Sequence, residues 1–214
     1  MALRPTSGST GAVKLNPVEL ALVNNPVRGA LLRSTMGWLR DAACAPAVSR
    51  VLEIGCGRGD GVREIARRFN PDTIDAFDLD EQQIARARER LSSQDTPIVR
   101  LWVGDAERIE AEDGSYDAVF ELTIFHHVPG WRRALAEVRR VLRPGGLFLF
   151  EELSSEFFAD VPVVSPLLRR FTAHPWDTMF DFPLFRRTLT GVGLRLTALR
   201  SRLPGWHQGV AVRD

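Results

Sequence analysis

The residues best suited to chemistry form a glycine turn with an acidic residue just before it. Glu53 precedes the run Gly55-Cys-Gly-Arg-Gly59, which separates an apolar segment from a segment predicted to be helical. Glycine adopts positive φ without strain and lets a ligand lie against bare backbone. The N–H groups at the start of the following helix bind negative or polar ligand atoms. The turn therefore predicts a binding site for a small-molecule cofactor.

The spacing of the glycines separates two classes of cofactor. The dinucleotide fingerprint G-x-G-x-x-G needs its third glycine at position 60, where this chain has Asp60. The carboxylate of Glu53 would repel a pyrophosphate but suits a cationic amine. The pattern favours a ligand that carries an ammonium group over NAD. A nicotinamide dehydrogenase stays an alternative hypothesis, which tight binding of NAD would support.

Two further acids follow the next two apolar segments. Asp78 comes about twenty residues after the turn, where a carboxylate accepts hydrogen bonds from ribose hydroxyls. Asp80 fits the N-cap of the helix that follows. Asp105 ends the third segment and can accept from an exocyclic adenine amine, although a Gly-Asp pair by itself is typical of a turn.

Apolar segments alternate with helical ones, and this alternation predicts crossover units around a parallel sheet. The predicted strands are apolar throughout, as expected where both faces of a sheet are covered. The predicted strands are Val51–Ile54, Thr73–Leu79, Ile98–Val103, Tyr116–Leu122 and Leu147–Glu151, with a final pair at Leu194–Arg200 and His207–Val212. The predicted helices are Gly61–Phe69, Glu81–Leu91, Pro129–Leu142 and Leu184–Leu189.

The chain divides into three predicted parts. Residues 1–12 are polar and are expected to be disordered. Residues 13–46 are expected to form a helical lid, with a break near Asn24, Asn25 and Pro26. Residues 47–214 form the main domain, and a segment rich in Phe and Pro near 153–180 is expected to be a cap insertion over the carboxyl edge of the sheet.

The composition narrows the class of protein. The chain has 214 residues, 44% hydrophobic and 26% charged, with 28 basic and 27 acidic side chains, so it is globular and near neutral. This charge argues against a nucleic-acid binder and against a polybasic membrane-surface protein. The spacing of Cys44 and Cys56 fits no metal site. No signal peptide and no membrane span is apparent, so we expect a cytoplasmic protein.

Five stretches together resemble a known family in its order and spacing. These stretches, within residues 50–152, are VLEIGCGRG, DAFDLDEQQIARAR, GDAERI, YDAVFELTIFHHV and RRALAEVRRVLRPGGLFLFEE. They resemble the class I S-adenosylmethionine-dependent methyltransferases, close to the type 11, ubiquinone/menaquinone-methyltransferase-like group. The resemblance implies an α/β fold with a Rossmann-like doubly wound sheet, mostly parallel with an antiparallel last strand, and S-adenosyl-L-methionine as cofactor. It also implies methyl transfer to O, N or C of a small molecule.

The resemblance implies one set of residues for the methionine end of the cofactor. Glu53 would hold the ammonium group, directly or through water. Backbone atoms of Gly55, Cys56 and Gly57 would face the methionine and the ribose. Glu121, at the end of the fourth strand, would offer its carbonyl to the ammonium.

A second set is implied for the adenosine end. Asp78 would bind the ribose hydroxyls, and Leu79 would pack on the adenine. Asp105 would accept from the adenine amine, with Ala106 beside it.

A base is needed only if the acceptor must lose a proton, because the sulfonium methyl is already activated. His126 and His127 follow the fourth strand, at the edge where such sheets bind ligands. We expect His126 to contact the acceptor and the other histidine to cap the loop. His174 is a looser candidate, and His207 is expected to be structural.

The acceptor itself is expected to be apolar or aromatic. Aromatic residues cluster in the two cap segments, where they line a pocket or form a core between lid and sheet: Trp38, Phe157, Phe158, Phe171, Trp176, Phe180 and Phe182. Arg28 and Arg33 can anchor an acidic acceptor or be solvated helix residues.

Two classes within the family are excluded, and one rival remains. The Asn/Asp-Pro-Pro-aromatic tetrad of amino-methylating nucleic-acid enzymes is replaced by Glu121-Leu-Thr-Ile124, and arsenite methylation needs more cysteines than two. The alternative from another class is a catalytically silent module that binds S-adenosylmethionine or S-adenosylhomocysteine and regulates a partner.

Overall fold

The structure is a computed structural model that describes residues 25–44, 47–91, 98–159 and 179–214. The predicted N-terminal tail and the first part of the predicted lid lie outside these residues. The strands are β1 Arg50–Ile54, β2 Thr73–Asp78, β3 Ile98–Val103, β4 Tyr116–Leu122, β5 Leu142–Leu153, β6 Leu194–Leu203 and β7 Trp206–Arg213. The helices are α1 Pro26–Ala43, α2 Asp60–Phe69, α3 Glu81–Leu91, α4 Trp131–Val141, α5 Ser155–Ala159 and α6 Phe182–Gly191, with a 3₁₀ turn at Phe125–His127.

The strands form one seven-stranded sheet in the order β3-β2-β1-β4-β5-β7-β6. The pairs from β3 to β5 are parallel, and β7 runs antiparallel to both of its neighbours. The predicted α/β class, with a mostly parallel sheet and an antiparallel last strand, is confirmed. The strand order reverses between β1 and β4, and ligands of open α/β sheets bind at such a switch point.

Helices cover both faces of the sheet, which explains the apolar central strands. On one face α4 and α6 pack on side chains such as Phe148 and Phe150. On the other face α1, α2 and α3 pack on side chains such as Val51 and Ile74. These residues are almost fully buried, so the sheet forms a rigid platform between two cores.

Helix α1 packs against the sheet along most of its length. Asn25 caps it, since its side chain accepts from the backbone N–H of Arg28 at 2.9 Å. Met36 and Leu39 are fully buried against the sheet. Within the described residues, only the first turns of α1 reach the cavity described below, and the lid stays a prediction.

Several predicted elements differ from the structure in their burial or in their bounds. Strand β3 lies at the edge of the sheet and is less buried than the central strands, with Ile98 70% exposed. Helix α4 begins at Trp131 rather than Pro129. Strand β5 begins at Leu142 rather than Leu147, because Leu142 already pairs with Tyr116 and an irregularity in the register absorbs the following Pro and Gly residues.

No described helix is both long enough and apolar enough to span a bilayer.

Candidate active site

The carboxyl ends of the first four strands surround a cavity at the switch point of the sheet. Its empty space, including the open mouth, is about 1360 Å³. The predicted binding residues among those that line it are Glu53, Gly55, Cys56, Gly57, Asp78, Leu79, Asp105 and Ala106.

The glycine turn follows β1 and is shaped by positive φ angles. Gly55, Gly57 and Gly59 have φ values of 69°, 53° and 88°. A Cβ on Gly55 would overlap the side chain of Ile124, whereas the space around Gly57 is open. Gly57 therefore presents bare backbone to the cavity, as expected for a turn that contacts a ligand.

The carboxyl group of Glu53 is buried beside the start of α2. Only 2% of Glu53 is exposed, and a Cβ on Gly61 would overlap its Oε1 atom, so glycine is required there. Its Oε2 atom is buried with no hydrogen bond within the described structure. Burial, with the charges of Asp78 and Asp60, raises the pKa of Glu53 well above its usual value. A cationic group from the cavity would satisfy both the oxygen and the charge.

Asp78 joins the end of β2 to the glycine turn. Its Oδ2 accepts from the Gly57 N–H at 2.8 Å, and its Oδ1 accepts from the Asp80 N–H at 2.9 Å. Both bonds fix the carboxylate at the cavity wall. Asp80 also starts α3 as predicted, because its carbonyl accepts from the Ile84 N–H at 3.2 Å.

Asp105 lies in the turn after β3. Its Oδ1 accepts from the Glu107 N–H at 2.9 Å, and the preceding Gly104 N–H donates to the Asp78 carbonyl at 3.0 Å. This backbone hydrogen bond thus holds the turn that carries Asp105 next to Asp78. Ala106 is buried beside Asp105 and also contacts the cavity.

The end of β4 forms the opposite wall through a strained residue. Thr123 has a φ of 68°, which is uncommon for a β-branched residue and marks functional positions. Its N–H donates to the Glu151 carbonyl at 2.6 Å. The turn redirects the chain, so Thr123, Ile124 and His127 line the cavity.

The structure does not place His126 in the cavity. His126 is 4% exposed, and its Nδ1 is hydrogen-bonded to the buried carboxyl of Glu152. His127 lines the cavity instead, with the two rings 4.2 Å apart. The 3₁₀ turn thus directs the first histidine inward and the second toward the cavity, so the structure places His127 rather than His126 where an acceptor can reach it.

Glu121 is likewise absent from the cavity lining. It is fully buried, and its side chain accepts from the Ile124 N–H. Burial and the neighbouring Glu152 raise the pKa of Glu121, and burial raises the pKa of Glu152 to about 8. The next residues, Leu122 and Thr123, line the cavity in its place. The two carboxyl groups hold the segment that carries Ile124 and His127, because Glu152 also accepts from the Phe125 N–H at 2.8 Å.

The predicted aromatic pocket is not formed by its described members. Trp38, on α1, is partly buried and packs against the core, and Phe157 packs edge-on against Trp206. Phe180 and Phe182 pack on Phe185, away from the cavity lining. The side chains of Phe158, Phe171, His174 and Trp176 lie outside the part that the structure describes.

Arg28, Thr123 and His127 line the cavity without having been assigned to the cofactor. Arg33, by contrast, is exposed. No feature of the sequence predicted the positive φ of Thr123. His207 stacks on Phe182 and bonds to Ser201, which fits the structural role expected of it.

Comparisons with known proteins agree with this geometry. Residues 51–146 match the family model described as a methyltransferase domain. A phthiotriol/phenolphthiotriol dimycocerosates methyltransferase of Mycobacterium ulcerans is 39% identical over 104 residues, 49% of this chain and 37% of that protein. A fatty-acid O-methyltransferase of Mycolicibacterium smegmatis is 38% identical over 113 residues, 53% of this chain and 39% of that protein. The chain thus spans less than half the length of these relatives.

A solved structure shows the same fold over nearly the whole chain. The S-adenosylmethionine-dependent methyltransferase from Aquifex aeolicus superposes with a TM-score of 0.72 at 18% identity, covering 94% of this chain and 100% of that one. The resemblance drawn from the motifs is confirmed. Residues 51–146 match a methyltransferase domain, and the chain shares the fold of this S-adenosylmethionine-dependent methyltransferase.

Proposed function

We propose that the protein transfers the methyl group of S-adenosylmethionine to a small-molecule acceptor that carries an apolar chain. The observation that carries this proposal is the pair of acids at the glycine turn. Glu53 has a buried oxygen that lacks a hydrogen bond in the described structure, and Asp78 is fixed beside it at the cavity wall. An amino-acid ammonium and a vicinal diol match these two groups.

The cofactor-facing residues bind and orient rather than react. The carboxylate of Glu53 would hold the ammonium, and that of Asp78 would hold the ribose hydroxyls. The side chain of Asp105 would accept from the adenine amine, and Leu79 would pack against the ring. When bound, S-adenosylmethionine supplies an activated methyl group on a sulfonium sulfur. The chain contributes proximity and orientation, which supply much of the acceleration.

The lining of the cavity includes the apolar residues Leu32, Leu122, Ile124 and Val128 beside Arg28, Thr123 and His127. The relatives from Mycobacterium ulcerans and Mycolicibacterium smegmatis are named for dimycocerosates and fatty-acid substrates. The apolar lining and both names support a lipid-like acceptor, and the name of the Mycolicibacterium smegmatis relative supports transfer to oxygen.

His127 is our candidate for the group that takes a proton from a hydroxyl acceptor. It lines the cavity next to Ile124, and a histidine titrates near neutral pH. His126 is proposed as a positioning residue behind it, because its Nδ1 is bound by Glu152. A carboxylate acceptor has no proton to lose and would not need His127.

The proposal is tested by calorimetric titration with S-adenosylhomocysteine. We expect saturable binding by the wild type and a loss of about 1.5–3 kcal/mol in Asp78→Ala, the scale of a charged hydrogen bond. The matched control is Asp113→Ala, an aspartate whose side chain is 79% exposed. Absence of binding by the wild type would refute the proposal.

Turnover is then measured with labelled methyl donor and a panel of fatty acids, alcohols, phenols and amines. Methylation of at least one acceptor supports the enzyme. Tight binding of S-adenosylhomocysteine with no turnover on any acceptor would favour the silent regulatory module instead.

A further inference from the structure

Arg28 is fixed at the acceptor side of the cavity by the first turn of α1. The Asn25 cap positions its backbone, and its side chain is 20% exposed. One terminal nitrogen donates to Thr123 Oγ1 at 3.0 Å. The other approaches the two carboxylate oxygens of Glu151 at 3.4 and 3.5 Å, which is long for a charged hydrogen bond.

Glu151 has a stronger bond elsewhere. Its Oε1 accepts from the indole N–H of Trp206 at 2.6 Å. The buried carboxylate therefore stays hydrogen-bonded if Arg28 turns to another anion. A guanidinium has five N–H donors, so Arg28 also retains donors beyond the contacts with Thr123 and Glu151.

The charges along the cavity are separated. Glu53, Asp78 and Asp105 line the cavity near the glycine turn, whereas Arg28 lies at the end of β4, beside Thr123 and Glu151. Two arginines are among the described lining residues, and the second, Arg58, is bound to Asp60 at 2.7 Å. Arg28 is thus the cation available to a ligand beside Leu32 and Ile124.

We propose that Arg28 anchors the carboxylate of an acceptor with an apolar chain, so that the acceptor is a carboxylic acid and the product its methyl ester. This inference rests on the proposed function. A carboxylate oxygen forms the new bond to the methyl carbon, the S–CH₃ bond breaks, and its electron pair stays on sulfur. No proton is released, because carboxylic acids are ionised above about pH 4. The neutral ester loses its ion pair with Arg28, which favours product release.

The test compares binding of decanoate and decanol by protein saturated with S-adenosylhomocysteine. We expect Arg28→Gln to weaken decanoate binding about tenfold or more, the scale of a charged hydrogen bond, and to leave decanol binding within about twofold. The control is Arg33→Gln, an exposed residue on the same helix. The KM for decanoate should rise in parallel.

A second variant separates anchoring from a structural role. Glu151→Gln keeps an acceptor for Trp206 but removes the anion that competes for Arg28, so we expect tighter decanoate binding. Weaker decanoate binding in Glu151→Gln, or equal losses for decanoate and decanol in Arg28→Gln, would overturn the inference. In either case, binding of S-adenosylhomocysteine by the wild type would leave the proposed function standing, whereas its absence would refute that function.

Discussion

Replacing Glu53 by glutamine should change cofactor affinity and stability in opposite directions. The substitution keeps the shape of the side chain beside Gly61 and removes its charge. In the free protein this charge is costly, since Glu53 is 2% exposed and its Oε2 lacks a hydrogen bond among the described residues. In the complex the same charge would face an ammonium group.

The affinity change follows from the lost charge. A hydrogen bond to a charged group contributes about 1.5–3 kcal/mol, so Glu53→Gln should weaken binding of S-adenosylhomocysteine about 10- to 150-fold. Adenosine, which has no ammonium group, should bind the variant and the wild type about equally.

The stability change follows from the raised pKa of Glu53. The folded protein keeps this proton at pH values where the unfolded chain has lost it, so stability falls as pH rises above the ordinary carboxyl pKa of 4.5. For one proton the slope reaches about 1.4 kcal/mol per pH unit. Glu53→Gln removes this contribution, and the free variant should be more stable than the wild type at pH 8.

Urea unfolding at pH 5 and pH 8, with calorimetry on the same samples, checks both changes. Glu110→Gln, an exposed glutamate, is the control. If the free variant is less stable than the wild type at pH 8 while its affinity is unchanged, Glu53 is a structural residue and the reasoning about its charge is wrong.

Three further outcomes are expected. Gly61→Ala should lower both the free energy of unfolding and the affinity for S-adenosylhomocysteine, because its Cβ would displace the Glu53 carboxyl. The double variant Gly61→Ala/Glu53→Ala should regain the stability but not the affinity, and urea unfolding with calorimetry checks both quantities. Glu152→Gln should flatten the fall in melting temperature between pH 5 and 8, since burial raises the pKa of Glu152 to about 8; an unchanged slope would contradict this. His127→Ala should reduce turnover of alcohol acceptors and spare carboxylic acids, whereas equal losses for both would assign it to packing.

The elements that position the candidate cofactor site were predictable because backbone conformation and the order of strands and helices determine their placement. Gly55 and Gly57 have positive φ, and Asp78 is the last residue of a strand that the sequence predicts to within one residue. Their spacing alone places them at one edge of a parallel sheet.

The residues expected to face the acceptor were less predictable, because tertiary packing determines which of two similar residues lines the cavity. His126 and His127 are adjacent and chemically identical, and the turn after Thr123 determines which one lines the cavity. Arg28 and Arg33 lie on one helix, and only the packing of α1 on the sheet distinguishes the cavity residue from the exposed one.

A crystal structure with S-adenosylhomocysteine tests the central claim most directly. We expect the ammonium group of the ligand within hydrogen-bond distance of the Glu53 carboxylate, and both ribose hydroxyls hydrogen-bonded to the carboxylate of Asp78. Adenosine placed over Glu53, or a ligand bound away from the glycine turn, would contradict it.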